Sequence, residues 1–409
     1  MIGPIVLSEY EERRVVLSRE DAAFIVSRLG GRVSVGRELI GEGYILNPRQ
    51  FVGLAALPSG RTLACRPKVP ARNLFLMLDA AFDLPVPFLD APADTDTIED
   101  VVEFVVARFA SLVEERVDRG LYRAYVEDEG NLAMVRGRIA IAEDVRRNHV
   151  LRHRTWCRYA EYSWDIPENQ VLRQVVRLLV GWRLRPELRR RLHVLDAILD
   201  EVTPGRYVAS DVDRFVYHRL NEDYRPLHRL CRLFLEGASP SEDAGTFAFE
   251  AFFMDMNRLF EAFVTRVLRD RAPAGVAVQP QVTVPLDEAR AVRMRPDIVV
   301  RRGGQVVLTA DCKYKRVAPG SHIEGDLYQL VAYCTALGVE RGLLIYPRHL
   351  APMDGEIAVR HSRLTIWEAA IDLGGDRTAL DAECDRLARV VFDLVPIMPV
   401  THAGDAPAA

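Results

Sequence analysis

Lysine is almost missing from this 409-residue chain: of 54 basic residues only Lys68, Lys313 and Lys315 are not arginine. None of the three follows a glycine, so the sequence holds no GxxxxGK[ST] phosphate loop. That excludes nucleotide hydrolysis through such a loop, and any nucleotide energy must come from another subunit. The six cysteines (Cys65, Cys157, Cys231, Cys312, Cys334, Cys384) form no CxxC pair, which indicates neither a zinc knuckle nor a disulfide framework. No run approaches the ~18 apolar residues of a membrane span. The first dozen residues turn acidic and polar before any apolar run reaches signal-peptide length, so the expected location is cytoplasmic. A net charge of −4 argues against wholesale coating of nucleic acid, while uneven charge leaves room for a basic patch.

What is present divides the chain. Residues 1–90 are expected to form a β-rich domain: short extended runs such as Pro4–Leu7, Arg32–Val35, Gly43–Leu46 and Thr62–Cys65 are separated by glycine and proline turns. Asn73–Phe82 follows as a short helix. Leu84–Asp96, with three prolines, is a linker. From 97 to 237 the period becomes helical, with helices expected at 168–184, 186–200 and 222–236. Between Leu132 and Leu195 fourteen arginines face six acids, interleaved with Trp156, Tyr159, Tyr162 and Trp164. Two readings stand side by side: a nucleic-acid surface with stacking platforms, or helices ion-paired to the twelve acids of residues 90–129.

Gly237–Gly245 is a second linker, and residues 246–400 form the C-terminal domain. The pattern there predicts helix Phe247–Arg271, strands Val276–Val284, Ala291–Arg301 and Gln305–Lys315, helix His322–Leu337 and strand Gly342–Tyr346. A β segment at Ile357–Trp367 and a helix at Thr378–Leu394 follow. Residues 401–409 are a disordered tail.

Two of the three lysines fall in Asp311-Cys312-Lys313-Tyr314-Lys315, fourteen residues after Asp297 and across a Gly303–Gly304 turn. Lysine on a sheet edge is common, but its scarcity here points to positions where a fixed guanidinium will not serve. Phosphodiester hydrolysis needs a divalent cation that polarises the phosphate and acidifies a water, and hard cations take oxygen ligands. Asp297, Asp311 and the carbonyl of Cys312 are the candidate ligands, with Lys313 on the same strand face as Asp311. A two-residue turn would place the two carboxylates on opposite faces. The site therefore requires a three-residue loop or an equivalent bulge. Gln329, with Tyr333 one turn on and Asp326 one turn earlier, lies on the later helix; Glu261 lies on the earlier one. Either could serve the site or belong to a solvated helix face.

The order Asp297…Asp311-x-Lys313, then Gln329-x-x-x-Tyr333, resembles the PD-(D/E)XK nuclease superfamily, with Asp311 where Glu also occurs. Further segments, Gly120–Val126, Val135–Ile139, Asp165–Asn169 and Met256–Glu261, resemble the McrC family over nearly the full length. The resemblance implies an α/β and α+β multidomain fold. Its N-terminal and middle regions would dock a McrB-like AAA+ GTPase ring, and a C-terminal restriction-endonuclease-like domain would cut double-stranded DNA with Mg²⁺ or Mn²⁺. It implies catalytic roles for Asp297, Asp311, Lys313, Glu261 and Gln329, with GTP used only by the partner, whose GTPase this chain would stimulate. A stand-alone nuclease and a non-catalytic adaptor of an AAA+ ring remain the alternatives.

Overall fold

In the computed structural model, residues 3–38, 43–82, 97–150, 153–238, 251–317, 324–352 and 354–396 are described. The linker at 84–96, most of the one at 237–245 and the tail at 401–409 lie outside them. The fold is mixed α/β, and contacts divide the chain into two units: Met1–Val52 with Leu63–Ile98 and Met254–Ala409, and Gly53–Thr62 with Glu99–Phe253.

The first unit is built on a six-stranded sheet in the order Val276–Pro280, Ile298–Arg302, Gln305–Cys312, Arg341–Pro347, Thr365–Ile371, Gly355–Ala358. The first three strands are antiparallel; Gln305–Cys312, Arg341–Pro347 and Thr365–Ile371 run parallel. Parallel neighbours need a crossover, and helix Glu324–Leu337 supplies the first. Central strands covered on both faces read as continuous apolar runs: Ile298, Val299 and Val300 are wholly buried, as are Leu343, Leu344 and Ile345. Helix Met256–Asp270 buries Leu259, Phe260, Phe263, Val264 and Val267, spaced along one stripe.

That helix starts nine residues later than the periodicity predicts. Ala251–Asp255 is a strand instead, and the Asp255 side chain caps the helix by accepting from the Asn257 amide at 2.9 Å. Phe252 and Phe253 suit either structure, so the cap decides the boundary.

The N-terminal segment folds into the same unit. Strand Ile5–Ser8 pairs in parallel with residues 63–66. Arg13–Val15, Tyr44–Asn47 and Ser34–Arg37 form an antiparallel three-stranded sheet in that order. Helix Ala71–Phe82 contacts helix Met256–Asp270, and buried Asn73 donates its Nδ2 hydrogens to the carbonyls of Leu373, Gly374 and Gly375. Helix Arg19–Leu29 was not expected. Its signal was present in Ser18, whose hydroxyl accepts from the Asp21 amide, and in the acids Glu20 and Asp21 of the first turn.

The second unit packs helices Ile98–Asp118, Pro167–Val180, Pro186–Ile198 and Arg225–Gly237 around Phe109, Trp182 and Phe234, whose rings meet edge to face at 5.5 and 5.8 Å. Buried Asn169 donates to the Tyr122 and Trp164 carbonyls and accepts from Tyr224 at 2.7 Å. Here the periodicity reading needs a correction: residues 124–163 are largely a three-stranded antiparallel sheet, Ala124–Leu132, Thr155–Ser163 and Arg138–Ile139. Gly137 enters it at φ +70°, where a Cβ would lie 2.3 Å from the Arg158 carbonyl oxygen.

Both readings of the arginine-rich span leave a trace. Arg185 pairs with Asp100 and Glu103, and Arg191 with Glu114. Arg123 lies over Trp164, Arg136 over Tyr159 and Arg147 over Trp156, at 4.0, 4.7 and 4.3 Å. One face of each of these three rings is thus covered by the chain's own guanidinium groups. Among the described residues no helix is long and apolar enough to cross a membrane.

Candidate active site

The turn after Ile298–Arg302 is the two-residue kind, with Gly303 and Gly304 at φ +56° and +83°, conformations glycine adopts freely. Arg302 pairs with Gln305 and Arg301 with Val306, yet Val300 pairs with Leu308. Val307 is therefore the extra residue of a bulge, and the register moves by one. Ile298 then faces Ala310, and continuing the ladder sets Asp297 opposite Asp311. Directly opposed residues share a face. The bulge, one of the two devices the chemistry required, brings the carboxylates together.

Asp311 is 1% exposed. Lys313 Nζ lies 2.5 Å from its Oδ2, but neither carboxylate oxygen accepts a well-aligned hydrogen bond from a described residue. Asp297 Oδ2 accepts from the Cys312 amide at 2.8 Å. Burial, then the negative charges of Asp311 and Glu261, raise the Asp297 carboxyl far above the usual range, and the Cys312 amide only partly opposes this. For Lys313 burial disfavours the ammonium, but Asp311 outweighs it and the net shift is upward. Its Nζ also donates to Gln329 Oε1 at 2.9 Å, and Gln329 Nε2 donates to the Tyr333 hydroxyl at 2.6 Å. Lys315 donates to Asp326 at 2.5 Å. The helix face 326-329-333 is thus joined to the lysine strand.

Glu261 accepts from Gln281 Nε2 at 2.7 Å, and burial followed by the charge of Asp311 raises its carboxyl. Cys312 is buried and its thiol is pushed far up by that burial, so it is no thiolate. Among the described residues no three His, Cys, Asp or Glu side chains form a metal-holding group. A cation here would rest on two carboxylates, with backbone and water oxygens completing its shell. Two opposed carboxylates, one of them almost wholly buried, fit that demand.

Glu261, Asp297, Cys312, Lys313 and Lys315 border a cleft of about 440 Å³. Its other wall was missed by sequence reasoning: Tyr10, Arg49 and Gln50 come from the N-terminal segment, Asn257 and Arg258 from the first turn of the Met256–Asp270 helix. Gln281, also missed, stands at φ +48°. A non-glycine residue in that region is the kind of outlier that gathers at functional sites, but nothing in the local sequence announces it.

Behind the lysine strand, wholly buried Glu9 accepts from the Tyr314 hydroxyl at 2.9 Å and from the Lys68 amide at 2.5 Å. Burial raises its carboxyl from 4.5 to about 7, against the pull of those two bonds. Because the folded value lies above the unfolded one, the protonated acid's contribution is present in full below about pH 4.5. It is lost as pH rises through about 7, a slope worth on the order of 3 kcal/mol. Glu9→Gln should flatten that part of the stability profile, measured by urea unfolding between pH 5 and 8. An unchanged slope would remove Glu9 as its source.

A mixed α/β multidomain chain with two opposed carboxylates and a lysine beside one cleft is the class that fold and geometry define. The model of the McrBC 5-methylcytosine restriction system component family matches residues 46–347, and the chain belongs to that family. It is 21% identical over 311 residues to the type IV methyl-directed restriction enzyme EcoKMcrBC of Escherichia coli (strain K12), covering 69% of this chain and 87% of that protein. A chain in a solved half-complex from a tetradecameric assembly of Thermococcus gammatolerans McrB AAA+ hexamers with bound McrC shares its fold. The TM-score is 0.56 at 22% identity, over 95% of this chain and 100% of that one.

Proposed function

We propose that this chain is the DNA-cleaving subunit of a GTP-dependent, modification-dependent restriction complex, with a PD-(D/E)XK site formed by Asp297, Asp311 and Lys313. The observation that carries the reading is Asp311, buried opposite a second carboxylate and ion-paired to a lysine. Asp297, Asp311 and the Cys312 carbonyl would hold Mg²⁺ or Mn²⁺, which when bound polarises a phosphate and acidifies a water. Lys313 keeps an ammonium beside the metal carboxylate, where it can donate to the attacking water or to a phosphate oxygen. Gln329 fixes that ammonium and is itself fixed by Tyr333. Glu261, oriented by Gln281, can hold a water in the cleft.

The partner in this reading is a McrB-like AAA+ ring that binds and hydrolyses GTP, with its GTPase stimulated by this chain, and the substrate is double-stranded DNA bearing 5-methylcytosine. The family assignment and the McrB hexamers of the similar assembly support it. The test is Mg²⁺-dependent cleavage of methylated and unmethylated plasmid, with and without ring and GTP, for wild type and Asp311→Ala. Cutting of methylated plasmid only in the complete mixture, and lost in the variant, is expected. Cutting without ring or GTP would make the protein a stand-alone nuclease. Ring binding and GTPase stimulation without cutting would make it an adaptor. Mg²⁺ alone should also raise the wild-type melting temperature, a linkage worth about 2.7 kcal/mol at a hundredfold excess over Kd, and should leave Asp311→Ala unmoved.

A further inference from the structure

We infer that the N-terminal segment supplies a seat for the DNA backbone in the cleavage cleft, with Arg49 as its phosphate-binding residue. This rests on the nuclease reading above and extends it to residues lying more than two hundred positions before the carboxylates. Five described non-glycine residues have positive φ, and two of them, Tyr10 at +58° and Arg49 at +50°, border this one cleft. They are bonded to each other: the Tyr10 amide donates to the Arg49 carbonyl at 2.8 Å. A left-handed tyrosine or arginine is disfavoured where glycine or asparagine would fit, and persists only where the surroundings over-determine it.

The surroundings here do so. Asn47 Oδ1 accepts from the Arg49 amide at 2.6 Å, and the Gln50 carbonyl accepts from the Met256 amide at 3.1 Å, fastening the turn to the start of the Met256–Asp270 helix. On the other side the Tyr10 hydroxyl donates to the Tyr314 carbonyl, between the two lysines. The turn is thereby held against both the helix bearing Glu261 and the strand bearing Lys313. The backbone is rigid, yet the Arg49 side chain is exposed on the cleft wall. Among the described residues of the N-terminal segment, those bordering the cleft are Tyr10, Arg49 and Gln50, none a carboxylate. A planar, permanently charged fork on a fixed turn beside the scissile site suits a phosphate of the same strand, reached bidentately.

The glycine variant separates this role from a structural one. Arg49→Gly removes the guanidinium while suiting the left-handed backbone, so its melting temperature should hold or rise. Binding of a short fluorescein-labelled methylated duplex is measured as a function of salt for the full chain, with Asp311→Ala present to prevent cutting. Arg49→Gly is expected to bind several-fold more weakly, with a log–log salt slope smaller by about one, the loss of one phosphate contact. Arg49→Lys should keep most of the slope. In the complete cleavage mixture, with Asp311 intact, Arg49→Gly should raise KM more than it lowers kcat. Wild-type affinity and slope in Arg49→Gly would overturn the inference and leave the nuclease reading standing. Cleavage that survives Asp311→Ala would overturn both.

Discussion

Lys313→Ala is expected to lower DNA cleavage by about 10²–10³-fold or more, the loss typical of removing one preorganised donor from a reacting centre. The variant should still bind the ring and stimulate its GTPase, because Lys313 contacts only Asp311 and Gln329 among the bonds described for its side chain. Plasmid cleavage in the complete mixture checks the first part, and phosphate release from GTP the second. Arginine should not rescue: its planar fork cannot take the place of a compact ammonium 2.5 Å from Asp311 Oδ2 and 2.9 Å from Gln329 Oε1. Cutting at the wild-type rate by Lys313→Ala would sink the assignment of this strand as the reacting centre.

A second large effect is expected in the other unit. In the Glu99–Phe253 unit, Met134 is 82% exposed and Ile141 72%, with Val135, Ile139 and Val145 also exposed nearby in sequence. Met134 and Ile141 follow strands Ala124–Leu132 and Arg138–Ile139 at the end of the sheet marked by Thr155, since Leu132 pairs with Thr155 and Ile139 with Cys157. Apolar side chains exposed at one end of a small sheet offer a surface to a partner, which under the proposed function would be the ring. The double substitution Met134→Asp, Ile141→Asp should weaken ring binding by roughly 30-fold or more, the scale of a hot spot. It should leave the melting temperature nearly unchanged, because neither side chain is in the core. Undiminished binding in a pull-down or anisotropy titration would move the docking surface elsewhere.

The residues of the lysine strand were legible because their chemistry is local. Asp311 and Lys313 stand two apart on one strand, Asp297 is one hairpin away, and the scarcity of lysine marked the place. Even the need for a longer loop or an equivalent bulge followed from parity, though which of the two did not; Val307, the residue extruded, has nothing in its local sequence to mark it. The opposite wall of the cleft could not be read in this way. Tyr10 meets Tyr314 across 304 positions and Glu9 meets it across 305, and no periodicity carries information over such a span. The small sheet of the second unit was missed for a different reason. Strand Ala124–Leu132 is exposed over Tyr125–Glu129, so it lacks the alternation of apolar and polar residues that a half-buried strand shows. Its partners, not its pattern, hold it extended.

The fold that joins the first hundred residues to Met254–Ala409 has a consequence for how this protein can be divided or exchanged. A fragment beginning at residue 254 would leave Tyr314 without the carboxylate it bonds and Leu373–Gly375 without the amide of Asn73. It would also lack the Arg49 side of the cleft. These two segments form one unit, and recombination or engineering must carry them together. Among the described residues, none of residues 99–253 borders the cleft, so that stretch is under no such constraint from it.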